Sequence, residues 1–438
     1  MNKITSLMVG PLKNMYDTHG VPKRLRHDLN LVVLSVVFGM VFFSISGGAP
    51  LTGLAQALGA NDLFYGIMLS LPIVGSVVQL LASWLLEKTR RRKQLFIIFG
   101  IIQRAIWIPI GFIPFIFKSQ SQSVHMWILI SLITMASMSG SFVNVGFYSW
   151  MGDLIPKKMQ GHYLGVRGAI STVVGLVGAL IASFFLDAVP GIMGYGIVFA
   201  VAAVFGVMDI VTFIWIKDPP MHEVDHEPFF KIAKKAMKNS SFMRFILFWS
   251  LFGFTWNLAA PYYNMYSLGT LKLSFTMLTL AGQIAGGLAS SMFSSRWGKL
   301  LDKHGNRWVL YRGTIFTAII PIVWLLATPG NAWVLFVFSI INGGMFCGIN
   351  LTAQRMLISS TPDKNRSLYV ALYFIFTSIF GTALGFIVGG AVLNTIGGAT
   401  LSLGKLIIDR YMFIFIGAGI LRLVTSLIFI PGVPNNDE

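Results

Sequence analysis

Polar side chains interrupt the long apolar stretches of this 438-residue chain at helical intervals. Ser141, Asn144 and Tyr148 follow one another at intervals of three and four residues, so they share one face of a predicted helix. Hydroxyl and amide groups beside an aromatic ring can hold hydroxyl-bearing or cyclic solutes. This pattern therefore indicates solute binding.

Two further stretches carry comparable groups. Asn350 and Gln354 stand at one shared offset from the last two of these, and Arg355, which follows, either attracts an anionic solute or reaches the cytoplasmic headgroups. Polar groups are costly against lipid, so this set is predicted to line a watery cavity; the alternative is that it joins neighbouring helices. The third stretch surrounds Pro261, which predicts a kink. It comprises Trp256, Asn257, Tyr262, Tyr263 and Asn264.

Three charged side chains, Arg104, Asp209 and Arg422, lie deep within apolar stretches. Ionisable groups inside a membrane are functional candidates by default. At a helical rise of about 1.5 Å per residue, Arg104 and Asp209 lie at depths that differ by about 5 Å, so an ion pair is predicted. Arg422 has no evident acidic partner and is predicted to snorkel towards the headgroups.

The sequence offers no constellation for catalysis or for a cofactor. Its histidines lie in loops or at predicted helix ends without metal-ligand spacing, and one cysteine, Cys347, cannot form a disulfide framework. P-loop and nucleophile-elbow motifs are absent from the sequence. We therefore expect a protein that is not an enzyme. The predicted cavity helices carry no carboxylate or histidine, which leaves proton coupling unsupported, although Glu87, Asp153 or Asp302 could take part from the cytoplasmic side.

Composition places the chain in a membrane. Apolar residues make up 55% and charged residues 11% of it, whereas soluble domains are near a quarter charged. The apolar runs can each cross ~30 Å of hydrocarbon, which predicts an all-α membrane protein with twelve transmembrane helices. Their predicted bounds are 29–50, 63–86, 94–117, 124–150, 163–187, 192–216, 242–266, 273–296, 308–328, 331–357, 367–393 and 408–431.

The net charge of +17 is distributed unevenly between the loops. Most of the 33 Lys and Arg residues fall in alternate loops, and such loops stay in the cytoplasm. Both termini are therefore predicted to be cytoplasmic, in a multi-pass protein of the inner (plasma) membrane whose partners are the lipid bilayer and a small solute. A nucleic-acid partner is not expected, since no basic face is interleaved with exposed aromatic residues.

The two halves of the chain repeat one pattern. The run through Gly298, Asp302, Gly305 and Arg307 has a degenerate copy at 83–92. Other paired positions are separated by nearly the same offset, and a constant offset in several regions predicts two related bundles. The predicted division is a cytoplasmic segment (1–28), a first bundle (29–216), a charged linker (217–241), a second bundle (242–431) and a C-terminal tail (432–438).

The run at 298–307 resembles the most specific signature of the major facilitator superfamily, and the chain resembles that superfamily over nearly its whole length. The turn from Trp150 to Pro156, continuing to Tyr163, is similar to one in many bacterial members without assigned substrates. The resemblance implies two pseudo-symmetric six-helix bundles (6+6) with a solute cavity between them. It also implies that helices 3 and 6 are outer supports, so the Arg104–Asp209 pair is predicted to be structural.

The acids of the repeated run are predicted to gate the cytoplasmic side. Carboxylates are stabilised near helix N-termini, and the resemblance implies that each acid faces a helix of the other half. Asp153 is predicted to bind Arg91 or Arg92, whereas Ser359 at the equivalent place removes that charge link from the second half. The alternative is that these charges only orient the chain. The predicted gating residues are Glu87, Arg91, Arg92, Asp153, Gly298, Asp302, Gly305 and Arg307.

These observations predict a monomeric transporter, secondary active or facilitative, for a small polar or weakly anionic organic solute such as a sugar, a sugar acid or a related metabolite. One alternative is efflux of lipophilic drugs, for which 36 Phe and 21 Met could form an adaptable chamber. An alternative of another class is a membrane receptor or scaffold that does not transport. The sequence leaves the solute, the direction of transport and the coupling ion open.

Overall fold

The computed structural model describes residues 16–18, 20–221, 234, 237–328, 330–331, 333–361, 366–403 and 406–432. Among these residues, ten helical segments are long and apolar enough to cross a membrane. Two further helices complete the predicted twelve. The helices are α1 (Lys23–Ile45), α2 (Asp62–Thr89), α3 (Arg92–Gly111), α4 (Gln122–Leu154), α5 (Lys157–Ala188), α6 (Ile192–Trp215), α7 (Phe242–Gly269), α8 (275–304), α9 (306–326), α10 (Trp333–Leu357), α11 (Tyr369–Ile396) and α12 (Arg410–Gly432).

Helices α8 and α9 form one nearly continuous helical run that bends at Gly305. The backbone of Gly305 has φ 79° and ψ 178°, a region that glycine adopts without steric cost because it lacks a Cβ atom. The signature glycine predicted from the sequence therefore separates two transmembrane helices.

Several helices are interrupted within the apolar region. The first part of α7 ends at Asn257, and its second part starts at Ala260 with Pro261 in the first turn, so the predicted kink is confirmed. Helix α2 is interrupted after Gly75 and resumes at Val78. Wider π-helical turns replace α-helix at Leu280–Ala285 in α8 and at Thr377–Ala383 in α11, and such turns are frequent near functional sites.

One short antiparallel hairpin departs from the all-α prediction. Strands β1 (Leu401–Leu403) and β2 (Leu406–Ile408) pair between α11 and α12, with Leu403 opposite Leu406. Three-residue strands are too short to give a readable alternation of apolar and polar residues, which is why the sequence did not predict them.

The chain divides into two compact units. Unit 1 comprises Met1–Leu58 and Gly75–Glu223, and unit 2 comprises Gly59–Val74 and Val224–Glu438. The first part of α2 therefore packs with unit 2, a feature that the predicted bundle bounds do not contain. Those bounds remain predictions.

Each unit has its own aromatic core. In unit 1, Phe96 lies 5.7 Å from Trp150 and 4.6 Å from Phe213, measured between ring centroids. In unit 2, Phe242 lies 4.8 Å from Tyr369. Such pairs each add about 0.5–1.5 kcal/mol to the free energy of area burial, and they fix the helices that carry the polar residues described next.

Candidate functional site

A cavity of about 440 Å³ lies within unit 1 and is walled by α1–α6. The predicted residues Ser141, Asn144 and Tyr148 all line it along α4, and Tyr148 is 70% exposed. Because one face of α4 supplies them, their side chains stand in a row along the cavity wall. The structure therefore brings the first predicted polar set together at one cavity.

Arg104 and Asp209 also line this cavity. Nη2 of Arg104 lies 3.1 Å from Oδ2 of Asp209, so the predicted ion pair is present. The guanidinium carbon is 4.1 Å from the ring centroid of Phe42 and 4.5 Å from that of Phe43, within the range of cation–π attraction. The prediction that α3 and α6 stand outside the cavity wall is wrong at these two positions.

Two glycines explain how side chains of α3 and α6 reach the cavity. A Cβ atom at Gly39 of α1 would lie 2.8 Å from Oδ2 of Asp209, and one at Gly206 of α6 would lie 2.7 Å from Cδ of Arg104. Any other residue at either position would collide with the ion pair. The two glycines therefore leave the space that the ion pair occupies between the helices.

Four buried polar atoms of this region lack a hydrogen bond within the described part of the chain. They are Nε and Nη1 of Arg104, Nε of Arg167 and Oε1 of Gln103. The guanidinium of Arg167 lies 4.8 Å from the ring centroid of Phe147. Two guanidinium groups and one carboxylate leave this cavity with an excess of one positive charge. Buried donors without partners are rare in native proteins, and they suit a polar or anionic ligand.

Sequence reasoning missed Gln103 and Arg167 as cavity residues. The sequence places Arg167 near the start of the predicted helix 163–187, whereas α5 begins at Lys157 and places Arg167 about 15 Å along the helix. The turn around Gln160 and His162 is polar, which hides the start of α5 in a hydropathy profile. The pairing of Gln103 with Arg104 in an apolar helix was the available signal.

The polar residues predicted in the second half do not line the cavity of unit 1, and their surroundings differ from one residue to the next. Asn350 and Gln354 are exposed on α10. Trp256 stacks on Phe346 at 4.4 Å between ring centroids, while Asn264 is half-buried. Solute binding by these residues remains a prediction.

Three other predicted residues of α7 contact neighbouring helices. Tyr262 is fully buried and donates a hydrogen bond of 2.7 Å to the backbone oxygen of Phe386. Nδ2 of Asn257 donates to the oxygen of Gly253 at 2.8 Å and reaches Oγ1 of Thr382 at 3.4 Å. Tyr263 stacks on Trp324 with ring centroids 4.8 Å apart. These side chains contact neighbouring helices, as interhelical polar and aromatic groups commonly do, and solute binding by them remains a prediction.

Arg422 does not snorkel, so that prediction is wrong. It is 3% exposed, and its Nη1 donates to the backbone oxygen of Thr317 at 2.6 Å. Its Nη2 is 3.4 Å from the oxygen of Thr255, and its guanidinium carbon is 4.4 Å from the ring centroid of Trp256. Backbone carbonyls and an aromatic face thus replace the acidic partner.

A charge cluster marks the end of α4 in unit 1. Arg92 is fully buried, and its Nη1 lies 2.5 Å from Oδ2 of Asp153. Its Nη2 lies 2.5 Å from Oδ1 of Asp218, a partner that the sequence did not indicate. Arg91 and Glu87 are exposed. The structure therefore assigns the contact with Asp153 to Arg92, while the gating role of all four predicted residues remains a prediction.

Both copies of the signature place a residue with positive φ at the same position, although their ψ angles differ (20° and 178°). Arg90 ends a helix with φ 54°, and Gly305, its counterpart in the second copy, has φ 79°. A left-handed residue at a helix end is most often glycine. Arg90 therefore adopts the left-handed conformation without being the residue type that favours it.

The signature in unit 2 has a charge contact of its own. Nη1 of Arg355 lies 3.4 Å from Oδ1 of Asp302 and donates to the oxygen of Leu301 at 3.2 Å. This contact involves Asp302, the counterpart of Glu87, and so differs from the link between Arg92 and Asp153. The absence of that link from the second half remains a prediction. Asp302 is 82% exposed in its side chain, so this contact is weak. A Cβ atom at Gly298 would have no neighbour within 4 Å, and Arg307 is half-buried.

A second buried carboxylate, Asp62, was not predicted as a site. Asp62 is 2% exposed at the start of α2 and belongs to unit 2. Its Oδ1 accepts a hydrogen bond of 2.8 Å from the hydroxyl of Tyr411, and its Oδ2 lies 3.1 Å from Nη1 of Arg410. Ser70 donates to the oxygen of Ala383 at 2.9 Å. These contacts fasten residues 62–74 to α11 and α12.

The sequence matches the family model of the Major Facilitator Superfamily over residues 31–299 and 284–437. The chain belongs to this superfamily. No curated protein matches the sequence at a significant level. Membership in the Major Facilitator Superfamily supports transport of a small molecule as its general function, in a multi-pass membrane protein.

Solved structures of superfamily members share the fold. The structure of nucleoside transporter NupG matches with a TM-score of 0.67 at 14% identity, and the match covers 92% of this chain and 98% of the NupG chain. A bacterial homolog of the human lysosomal transporter Spinster, in an inward-facing and occupied conformation, has a TM-score of 0.71 at 12% identity and covers 94% and 97%. A D-xylose-proton symporter has a TM-score of 0.62 at 14% identity and covers 92% and 96%. Identities this low establish the fold alone.

Proposed function

We propose that this superfamily member transports a small polar or weakly anionic organic solute, such as a sugar acid, across the inner (plasma) membrane by alternating access. The observation that supports this is the cavity of unit 1, where Ser141, Asn144 and Tyr148 face a surplus of positive charge. We further propose that it acts as a monomer and is a secondary transporter, since a site for ATP hydrolysis is missing from the sequence.

The size of the cavity favours a small solute. Sites for drug-sized ligands occupy about 300–1,000 Å³, and the cavity of about 440 Å³ lies at the lower end of that range. Its hydroxyl and amide groups can each accept or donate hydrogen bonds, so a solute with several hydroxyl groups would leave few of them unsatisfied. The names of two similar solved structures, a nucleoside transporter and a D-xylose-proton symporter, concern polar solutes of this kind.

A second, apolar hollow bears on the rival function of lipophilic efflux. A hollow of about 400 Å³ in unit 1 is lined almost entirely by apolar residues of α1, α5 and α6. Three of its residues, Val173, Val177 and Ile181, are at least half exposed, as expected of a helix face that meets acyl chains. We therefore favour the polar cavity as the solute site.

The test is transport by the purified protein in liposomes. We expect saturable flux of labelled D-glucuronate or D-glucose that exceeds the flux in protein-free liposomes and falls in the Asn144→Ala variant. Flux restricted to a lipophilic cation such as tetraphenylphosphonium would support the efflux alternative instead. Flux of none of these compounds would favour the receptor or scaffold.

A further inference from the structure

We propose that Arg104 is the recognition group for a carboxylate on the solute and that Asp209 is an internal competitor which the solute displaces. This inference rests on the proposed transport function and specifies the solute class as small organic monoanions. It adds Arg104, Arg167 and Asp209 to a site that sequence reasoning placed on α4.

The first step concerns the buried donors of Arg104. Its side chain is 2% exposed, yet Nε and Nη1 have no hydrogen-bond acceptor among the described residues. A guanidinium binds a carboxylate best through two parallel N–H bonds on one edge. Nη2 takes part in both available edges, either with Nε or with Nη1, and Asp209 occupies Nη2 at 3.1 Å. Nη2 carries two N–H groups, so a solute carboxylate can bind the other edge while Asp209 stays in place, but two carboxylates on one guanidinium repel each other. The solute carboxylate therefore binds most tightly when Asp209 gives up Nη2.

The second step concerns charge. Arg104, Arg167 and Asp209 line the same cavity, and their charges sum to one positive unit. A bound monoanion would neutralise the site completely, which matters because an unpaired buried charge is costly. A neutral solute would leave the surplus in place, and a dianion would reverse its sign.

The third step is an internal comparison between the two units. The offset along the chain that separates Asp209 from Arg422 also separates Arg104 from Thr317. Helices α9 and α12 of unit 2 thus correspond to α3 and α6 of unit 1. The buried guanidinium lies on α3 in unit 1 but on α12 in unit 2, where the backbone oxygen of Thr317 accepts its hydrogen bond at 2.6 Å. Unit 2 holds its buried guanidinium on carbonyl groups. A carboxylate is therefore not required to hold a guanidinium at this place in the fold, and Asp209 can have a functional role.

The surroundings of Asp209 make its charge responsive to the solute. The charged and titratable groups that face it are Arg104 from α3, Arg167 from α5 and, beyond Arg167, Tyr148 and Tyr163. Protonation of Asp209 would release Nη2 of Arg104 just as displacement does. Proton uptake by Asp209 and anion binding should therefore favour each other.

The experiment measures binding to the full-length protein in nanodiscs at constant ionic strength. The probes are D-glucuronate and acetate as carboxylates, with D-glucose as the neutral partner of glucuronate, and the signal is tryptophan fluorescence checked by thermal shift. For the wild type we expect tighter binding of glucuronate than of glucose. Asp209→Asn should bind glucuronate at least tenfold more tightly than the wild type and should lose the pH dependence of that binding.

Matched variants separate recognition from folding. Arg104→Gln should abolish the preference for glucuronate, and Arg104→Gln combined with Asp209→Asn, which leaves no buried charge of the pair, should do so in a folded protein. Arg422→Gln removes the equivalent guanidinium of unit 2 and should lower the melting temperature while keeping the preference.

The following results would overturn the carboxylate site. They are equal affinity of wild type and Asp209→Asn for glucuronate, retention of the preference in the double variant, or no binding of either carboxylate by Asp209→Asn. Failure of the transport function would look different, since the protein would then bind glucuronate through Arg104 but give no flux in liposomes. Flux of neutral sugars that Arg104→Gln leaves unchanged would refute only the carboxylate site.

Discussion

The contact between the first part of α2 and α11 gives a prediction that can be worked out from distances. A Cβ atom at Gly66 would overlap the backbone oxygen of Phe386 and would lie 2.7 Å from Oη of Tyr262. Because a backbone atom cannot move aside like a side-chain tip, Gly66→Ala should push residues 62–74 away from α11. Overpacking of this kind costs about 1–3 kcal/mol, which corresponds to a roughly 5- to 150-fold change in the local opening equilibrium.

A buried reporter next to this contact measures the opening. Ser70 is fully buried between Gly66 and Ala383, and a Ser70→Cys reporter in a Cys347→Ser background should react slowly with a methanethiosulfonate reagent. Adding Gly66→Ala should raise the rate of modification by roughly 5- to 150-fold. Gly287→Ala is the matched control, since nothing lies within 4 Å of a Cβ atom there, and it should leave the rate unchanged. An unaltered rate in Gly66→Ala would show that the close packing of α2 on α11 does not hold this region shut.

Other substitutions test the remaining contacts. Arg90→Gly should raise the free energy of unfolding by about 0.5–1 kcal/mol, because glycine adopts φ 54° without the steric cost that arginine bears; a lower melting temperature would contradict this. Arg92→Ala should lower the free energy of unfolding by about 3 kcal/mol, because the carboxylates of Asp153 and Asp218 lose the buried guanidinium that they share. Denaturant titration in detergent measures the change. Asn144→Ala and Asn350→Ala should each raise KM for the transported solute about 2- to 10-fold at unchanged expression, the value of a hydrogen bond of about 0.5–1.5 kcal/mol. Unchanged kinetics in both variants would assign these amides to helix packing.

The helix pattern could be predicted from sequence because hydrocarbon thickness sets the length of each apolar run. Where bounds differ, local backbone chemistry is the reason. Helix α1 ends at Ile45 rather than at the predicted position because Gly47 is fully extended and Gly48 adopts φ 58°. A hydropathy profile counts these glycines as apolar and cannot detect that they end a helix.

The candidate site was only partly predictable. A helical face reads directly from spacing, so the α4 residues were found, and helical rise gave the Arg104–Asp209 pair. The position of that pair at the cavity depends on the missing side chain of Gly39 on a different helix, which no single-segment pattern contains. Likewise, Asp218 reaches Arg92 through a connecting segment, and the path of such a segment does not follow from periodicity.

The buried guanidinium lies on α3 in unit 1 and on α12 in unit 2. This difference restricts which helices can be exchanged between the two halves. Replacing α6 alone by its counterpart α12 would set Arg422 against Arg104, bringing two cations together in an apolar interior. Replacing α3 alone by α9 would leave Asp209 facing Thr317, a buried anion that loses its contact with Arg104 and keeps only Arg167 as a counter-charge. Single-helix grafts between the halves should therefore misfold, whereas grafts that move α3 with α6, or α9 with α12, keep each charge with its partner.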